Sequence, residues 1–213
     1  HPRSGGVGAG RRHGAGQVAA LNVNNTTMNQ EKFTDMENPV NTPLAIRLDD
    51  LKGDAIASFL AQHIEDMRSV SPPESKHALD LEGLRSPEIQ FWSVWEGEVL
   101  VSCGALKNLG SGSGEIKSMR TSAAHRGKGI ASMLLRFIVD VAVEQRYVTL
   151  YLETGSMPFF AAARQLYYKH GFCECAPFGS YREDPNSVFM RLDLRSLSNR
   201  SSSERAIYDT GRD

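Results

Sequence analysis

No run of apolar residues in this sequence approaches the length of a membrane-crossing helix, and no secretory leader is expected from its opening residues. Charge of one sign is equally lacking. The 24 Lys and Arg face 25 Asp and Glu, a net of −1 at pH 7, so no global field draws nucleic acid or an anionic membrane. Cysteine is sparse. Cys103, Cys173 and Cys175 are an odd count without framework spacing, which argues against a disulfide scaffold and for reduced thiols in a cytoplasmic setting. Cys173 and Cys175 stand too close for a metal pair and have no His cluster nearby, so no metal is expected. A Gly-x-x-x-x-Gly-Lys-Ser/Thr run is absent, which excludes a P-loop. The cluster Gly110-Ser111-Gly112-Ser113-Gly114 precedes a strand pattern instead of opening a helix, against a dinucleotide fingerprint. A flexible connection between antiparallel strands is expected there, with a substrate-gating loop as the alternative.

Residues 1–43 carry Gly, Ala, Arg, Asn and Thr without an apolar period and are expected to form a disordered extension, with Met28 and Met36 as candidate native starts. Arg3, Arg11 and Arg12 among glycines resemble an RNA-binding tail in composition alone. A solvated extension with no nucleic-acid partner is the expectation. Residues 195–213, rich in Ser and Arg, read the same way. Between them, 44–194 is one domain, long enough to bury a core. Ala45 to Leu48 reads as a strand, and Asp54 to Met67 as a helix whose stripe is Ile56, Phe59, Leu60 and Ile64. Pro72-Pro73 breaks the chain and starts a second helix reaching about Leu84. Ile89 to Glu96 and Val99 to Lys107 flank Glu96-Gly97-Glu98, a hairpin signal. A helix over 158–170 and strands near 172–176 and 187–194 follow the central segment. The order is β-α-α-β-β-β-α-β-α-β-β, an α/β chain with a mixed sheet.

The densest signal lies in that central segment. A short semi-alternating strand, Ile116 to Thr121, leads into the turn Arg126-Gly127-Lys128-Gly129-Ile130-Ala131. Ile130, Met133, Leu134, Phe137, Ile138 and Val141 then form one apolar stripe on a 3.6-residue period. Tyr147 to Leu152 is β-branched and aromatic and reads as a buried strand. A strand–helix–strand unit of this length implies a right-handed crossover to a parallel neighbour. Two glycines remove Cβ atoms where a ligand would meet the backbone. The helix start adds unpaired N–H groups and its positive dipole end, and Arg126 and Lys128 add formal charge. Together they describe a pyrophosphate cradle.

Arg126-x-x-Gly129-x-Ala131 is similar to the Arg/Gln-x-x-Gly-x-Gly/Ala signature of the GNAT superfamily of N-acetyltransferases. Ala163-Arg-Gln-Leu166-Tyr167-Tyr-Lys-His-Gly171-Phe172 resembles the same family's Ala-x-x-Leu-Tyr-x-x-x-Gly-Phe segment. The resemblance covers roughly residues 45–194 and implies the GNAT acyl-CoA N-acyltransferase fold, a central mixed sheet of about seven strands flanked by about four helices. By it, the backbone of Arg126, Gly127, Lys128, Gly129, Ile130 and Ala131 holds the pyrophosphate of acetyl-CoA. It also implies that the strand ending in Met119, Arg120 and Thr121 splays from its parallel neighbour and offers backbone groups to the acetyl and pantetheine amides. One position departs from the pattern. Phe160 stands where many members carry Asn, so a polar contact to the pantetheine arm is missing or supplied elsewhere.

Acetyl transfer to an amine sets two proton problems. A lysine-like ammonium has a pKa near 10.4, so reaching its neutral form at pH 7 costs roughly 4–5 kcal/mol. A base must take that proton, and an acid must serve the departing thiolate. Glu115, six residues before Thr121, matches the spacing at which several GNAT enzymes carry their glutamate and is the candidate base. The alternative is an exposed strand-end carboxylate paired with Lys117. Strand alternation puts Glu115, Lys117, Met119 and Thr121 on one face. Lys117 then either lowers the basicity of Glu115 or binds an acidic substrate group. Tyr167, the tyrosine of the Leu-Tyr pair, is the candidate acid, with a half-buried core aromatic as the alternative. His170, at a helix end, reads as a dipole partner. In the polar link 177–187, Tyr181 and Arg182 are candidates for a substrate carboxylate, against a solvated hairpin loop.

The expected activity is direct transfer of the acetyl group of acetyl-CoA to a primary amine of a small molecule, amino acid or peptide, by a monomer or homodimer. A transferase using another acyl-CoA and a non-catalytic acyl-CoA-binding or sensing module are the alternatives.

Overall fold

The pairing of strands, rather than the helices, sets where the functional groups fall. The computed structural model describes residues 42–70, 81–195 and 197. The expected extension 1–43, all but two of its residues, lies outside this range, as do Pro72-Pro73 and most of the expected tail. The elements run β1 (Leu44–Leu48), α1 (Asp54–Val70), α2 (Leu81–Leu84), β2 (Ile89–Glu96), β3 (Val99–Gly110), β4 (Ser113–Thr121), α3 (Ile130–Glu144), β5 (Thr149–Gly155), α4 (Ala161–Lys169), β6 (Cys173–Glu174) and β7 (Ser187–Asp193). Single 3₁₀ turns precede α3 and α4. This is the expected order and the expected mixed, seven-stranded sheet, with strands arranged β1-β2-β3-β4-β5-β7-β6.

Among the described residues only β4 and β5 pair in parallel, as the strand–helix–strand pattern required. Their ladder is short: it runs from Ser113↔Thr149 to Ile116↔Leu152 and stops. Beyond it the strands part.

Helix α3 exists because its stripe has somewhere to go. Ile130, Leu134, Leu135, Ile138 and Ala142 are at most 3% exposed, packed with Leu106, Ile116, Leu150, Leu152 and Met190 on what we call the back of the sheet. Burying each of these Ile, Leu and Met side chains contributes about 1.5–3 kcal/mol. Trp92 meets Phe137 edge-to-face at 5.7 Å and extends this core across β2. The front face carries a smaller cluster, in which Ile56 and Leu60 of α1 pack with Leu84, Phe91, Cys103 and Ala105.

Two expectations are corrected here, the first only in its form. The 110–114 glycine cluster does join two antiparallel strands, β3 and β4, but as a tight turn that runs on into β4. Gly110, Ser111 and Gly112 all have positive φ and form a tight turn closed by the Gly110↔Ser113 pair. Gly114 lies inside β4, where a Cβ would come within 2.9 Å of Leu106 and 3.1 Å of Leu150. The second correction concerns alternation along β4. Ser118 has φ 54°, and the β3–β4 register slips between Cys103↔Arg120 and Ala105↔Lys117. One extra residue therefore intervenes. Glu115, Lys117 and Arg120 share the front face, while Met119 packs at the back against Gly104 and the α3 core.

Candidate active site

The turn before α3 has the geometry of a cradle. Gly129 caps the helix at φ 81° and Gly127 has φ 76°, conformations in which any side chain is strained. A Cβ built on either meets nothing within 4 Å, so open space lies before the backbone there. The first intrahelical bond runs from Met133 N–H to the Gly129 carbonyl, leaving the preceding N–H groups at the helix's positive end. Arg126, Gly127, Gly129, Ile130 and Ala131 all line a groove of about 400 Å³. Lys128 is exposed and is not part of its wall. These residues fit a pyrophosphate.

Neighbours that the sequence did not single out hold the turn. His125 Nδ1 bonds Ser122 Oγ at 2.7 Å and its Nε2 bonds Glu96 Oε2 at 3.1 Å. Arg126 Nε donates to the Thr121 carbonyl at 3.4 Å. His170, expected as a dipole partner, caps α4 and bonds Ser132 Oγ through Nε2 at 2.7 Å, tying the end of α4 to the first turn of α3.

The groove runs from this turn past Met119, Arg120 and Thr121 to Tyr167, bringing those expected residues together. Phe159 and Phe160 form an apolar part of its wall. Phe160 fits only because position 155 is glycine: a Cβ there would lie 2.1 Å from the Phe160 ring. Tyr167 is 6% exposed and packs edge-on to Phe172. Burial, helped by the negative charge of Glu153, pushes its hydroxyl above the usual tyrosine range, so it stays protonated at neutral pH.

Across the groove, α1 contributes His63, Asp66 and Met67. Arg120 Nη1 donates to Asp66 Oδ2 at 2.8 Å, and its guanidinium lies 5.1 Å from the Phe59 ring centroid. The Arg120 side chain is nine-tenths buried, and its Nε has no hydrogen-bond partner among the described residues. His63 is held neutral: burial, with the Arg120 charge, lowers its pKa to about 4.

Glu115 is not exposed; it is 3% accessible. Lys117 Nζ donates to Glu115 Oε1 at 2.7 Å and to the Tyr181 hydroxyl at 2.9 Å. Tyr181 in turn donates to Glu115 Oε1 at 2.7 Å. The three line a second cavity, of about 700 Å³, on the front face beneath residues 178–186. Arg182 lies on its exposed rim. The structure thus joins Glu115, Lys117 and Tyr181 but places them in a different cavity from Tyr167.

Thiol chemistry has little footing near the bulge. Cys103 is fully buried, its Sγ bonded to the Ser118 carbonyl at 3.4 Å, and burial raises its pKa to about 12. Among the described residues no group of three or more His, Cys, Asp or Glu is arranged to hold a metal, and no helix is long and apolar enough to cross a membrane.

Known proteins are similar to this chain in sequence and in fold. The chain matches the acetyltransferase (GNAT) family over residues 56–172. It is 55% identical over 149 residues to the uncharacterized N-acetyltransferase YsnE of Bacillus subtilis (strain 168), covering 70% of this chain and 99% of that one. Identity to the uncharacterized N-acetyltransferase YedL of Escherichia coli (strain K12) is 50%, covering 70% and 94%. A Bacillus subtilis acetyltransferase solved in complex with CoA superposes with a TM-score of 0.52 over 71% of this chain and 99% of that one, at 18% identity. Sequence motifs, sheet order and relatives agree, and the chain belongs to the GNAT family of acetyltransferases.

Proposed function

We propose that this protein transfers the acetyl group of acetyl-CoA directly to a primary amine while both are bound. The observation that carries this reading is a continuous groove from the glycine cradle to the buried Tyr167 hydroxyl, with a separate cavity on the front face for the acceptor. Acetyl-CoA supplies the activated thioester. The backbone of Gly127, Gly129, Ile130 and Ala131 would hold its pyrophosphate, and Met119 N–H would stabilise charge on the thioester carbonyl. The amine nitrogen attacks the carbonyl carbon, the C–N bond forms and the C–S bond breaks. Tyr167 donates its proton to the leaving thiolate and is reprotonated from the amide nitrogen. The buried, high-pKa Cys103 gives no support to an acetyl-cysteine intermediate.

A base must take the ammonium proton, and the two strands that part at the opening each carry one carboxylate, Glu115 on β4 and Glu153 on β5. Lys107, Lys117 and Arg182 beside Glu115, Glu183 and Asp184 give the acceptor cavity both signs of charge. That balance suits an amine that also carries a carboxylate, such as an amino acid or a peptide end.

The test is thiol release from acetyl-CoA in the presence of a defined panel: the twenty L-amino acids, spermidine, tryptamine and short peptides. Amine-dependent release supports transfer. Tight CoA binding with no release for any amine identifies a binding or sensing module instead.

A further inference from the structure

The sequence pattern hides one carboxylate among the strand residues of β5. Glu153 alternates with Leu150 and Leu152, which point into the back core, so it lies on the front face with Tyr151. The β4–β5 ladder ends at Ile116↔Leu152, and the next positions along the two strands are Lys117 and Glu153. Glu153 therefore stands at the mouth of the opening, on the β5 side. Ser187 Oγ donates to its Oε1 at 2.6 Å and orients it. Its charge reaches Tyr167 in the donor groove and Tyr181 in the acceptor cavity. Glu115, by contrast, lies where the ladder is still closed, opposite Tyr151, with Oε1 accepting from both Lys117 and Tyr181. Protonating Glu115 would discharge the partner of a buried ammonium.

Resting on the transfer reading above, we infer that Glu153 accepts the acceptor's ammonium proton, while Glu115 is a positioning residue that holds Lys117 and Tyr181 against the front face. Proton balance follows. The ammonium loses one proton to Glu153, which passes it to solvent, the net proton of the reaction. The second N–H proton replaces the one that Tyr167 lends to the thiolate. Titratable groups near Glu153 include Lys117, the next β4 position past the end of the ladder, Tyr181 from the β6–β7 connection and Tyr167 from α4, with Glu115 bonded to Lys117 and Tyr181. Arg164 of α4 donates to the Gly155 carbonyl, two residues on, and β7 presents Ser187.

The experiment compares Glu153→Gln, Glu153→Asp and Glu115→Gln with the wild type from pH 6 to 9.5, using acetyl-CoA and an amine from the panel. Glu153→Gln is expected to lower kcat about 10²–10⁴-fold at pH 7, with the KM for acetyl-CoA nearly unchanged. Raising the pH should recover at least about tenfold of that loss, because more amine arrives neutral. Glu153→Asp, which keeps the carboxylate, should recover part of it at pH 7. Glu115→Gln should lower the melting temperature and give a smaller rate loss that is flat with pH. A Glu153→Gln rate within about threefold of wild type at pH 7 overturns the assignment. So does a pH-rescued loss in Glu115→Gln alone. If the wild type binds CoA but acetylates no amine, the transfer reading itself falls and this inference with it.

Discussion

Tyr181 and Glu115 lie 66 positions apart in the chain, yet the tyrosine hydroxyl donates to Glu115 Oε1 at 2.7 Å. Lys117 completes the contact from two residues along β4, its ammonium 5.6 Å from the Tyr181 ring centroid. Removing one member of such a buried pair leaves the other charge without compensation. Lys117→Met is expected to destabilise the fold by about 3–5 kcal/mol, whereas Tyr181→Phe, which removes a neutral hydroxyl bonded to both charges, should cost about 1.5–3 kcal/mol. Urea unfolding checks both. Equal, small losses would show that the ammonium is satisfied elsewhere.

Gly129→Val should abolish the cradle while leaving the core intact. The valine would need φ near 81° and would project a branched Cβ into the open space before the helix start. Affinity for CoA is expected to fall at least about tenfold, or 1.4 kcal/mol, by calorimetry on a folded variant. Unchanged affinity would place the pyrophosphate elsewhere.

Tyr167→Phe tests the proposed acid. It keeps the ring packing against Phe172 and removes only the hydroxyl, so turnover should fall with little change in acetyl-CoA affinity. Because the hydroxyl is pushed above its usual range, it remains protonated through pH 9, and raising the pH should not restore the lost rate. Restoration at high pH would transfer the proton-donating role to another group.

His63 gives the fold a pH dependence of its own. With its pKa lowered from 6.5 to about 4, the folded chain refuses a proton that the unfolded chain accepts. Stability should therefore be complete above pH 6.5 and decline as the pH falls toward 4, by about 3 kcal/mol at most. Melting curves of wild type and His63→Gln between pH 7 and 4 check this. The variant should lose that slope, and parallel curves would refute it.

Gly155→Ala should push Phe160 out of the groove wall, costing about 1–3 kcal/mol and raising the KM for acetyl-CoA. Gly155→Ala/Phe160→Ala should regain much of the stability but not the KM. Independent, additive losses would mean the two residues do not compete for space.

Local signals were the legible ones. The stripe from Ile130 to Val141, the two glycines before it and the Leu166-Tyr167 pair each speak through neighbours a few residues away, and each led to its place. The bulge at Ser118 has no such signature, since a serine at positive φ looks like any strand residue, and so the face assigned to Met119 and Thr121 was wrong. Tyr181 meets Glu115 only because β7 returns beside β5, a long-range fact of sheet order. Glu153 and His63 were concealed for the opposite reason: each occupies an ordinary position in a regular strand or helix, and only the opening beside it gives it meaning.

The four paired positions between β4 and β5 are also a mechanical seam. On one side stands a four-stranded antiparallel block, on the other a three-stranded one, and the join between them is shorter than every other ladder except that of the two-residue edge strand β6. Such a sheet is stiff within each block and compliant between them, like the jaws of a peg. A ligand seated in the opening bridges both jaws and takes up that compliance. Bound CoA should accordingly slow amide exchange in β4 and β5 together, far from the phosphates, and leave β1 and β2 unaltered.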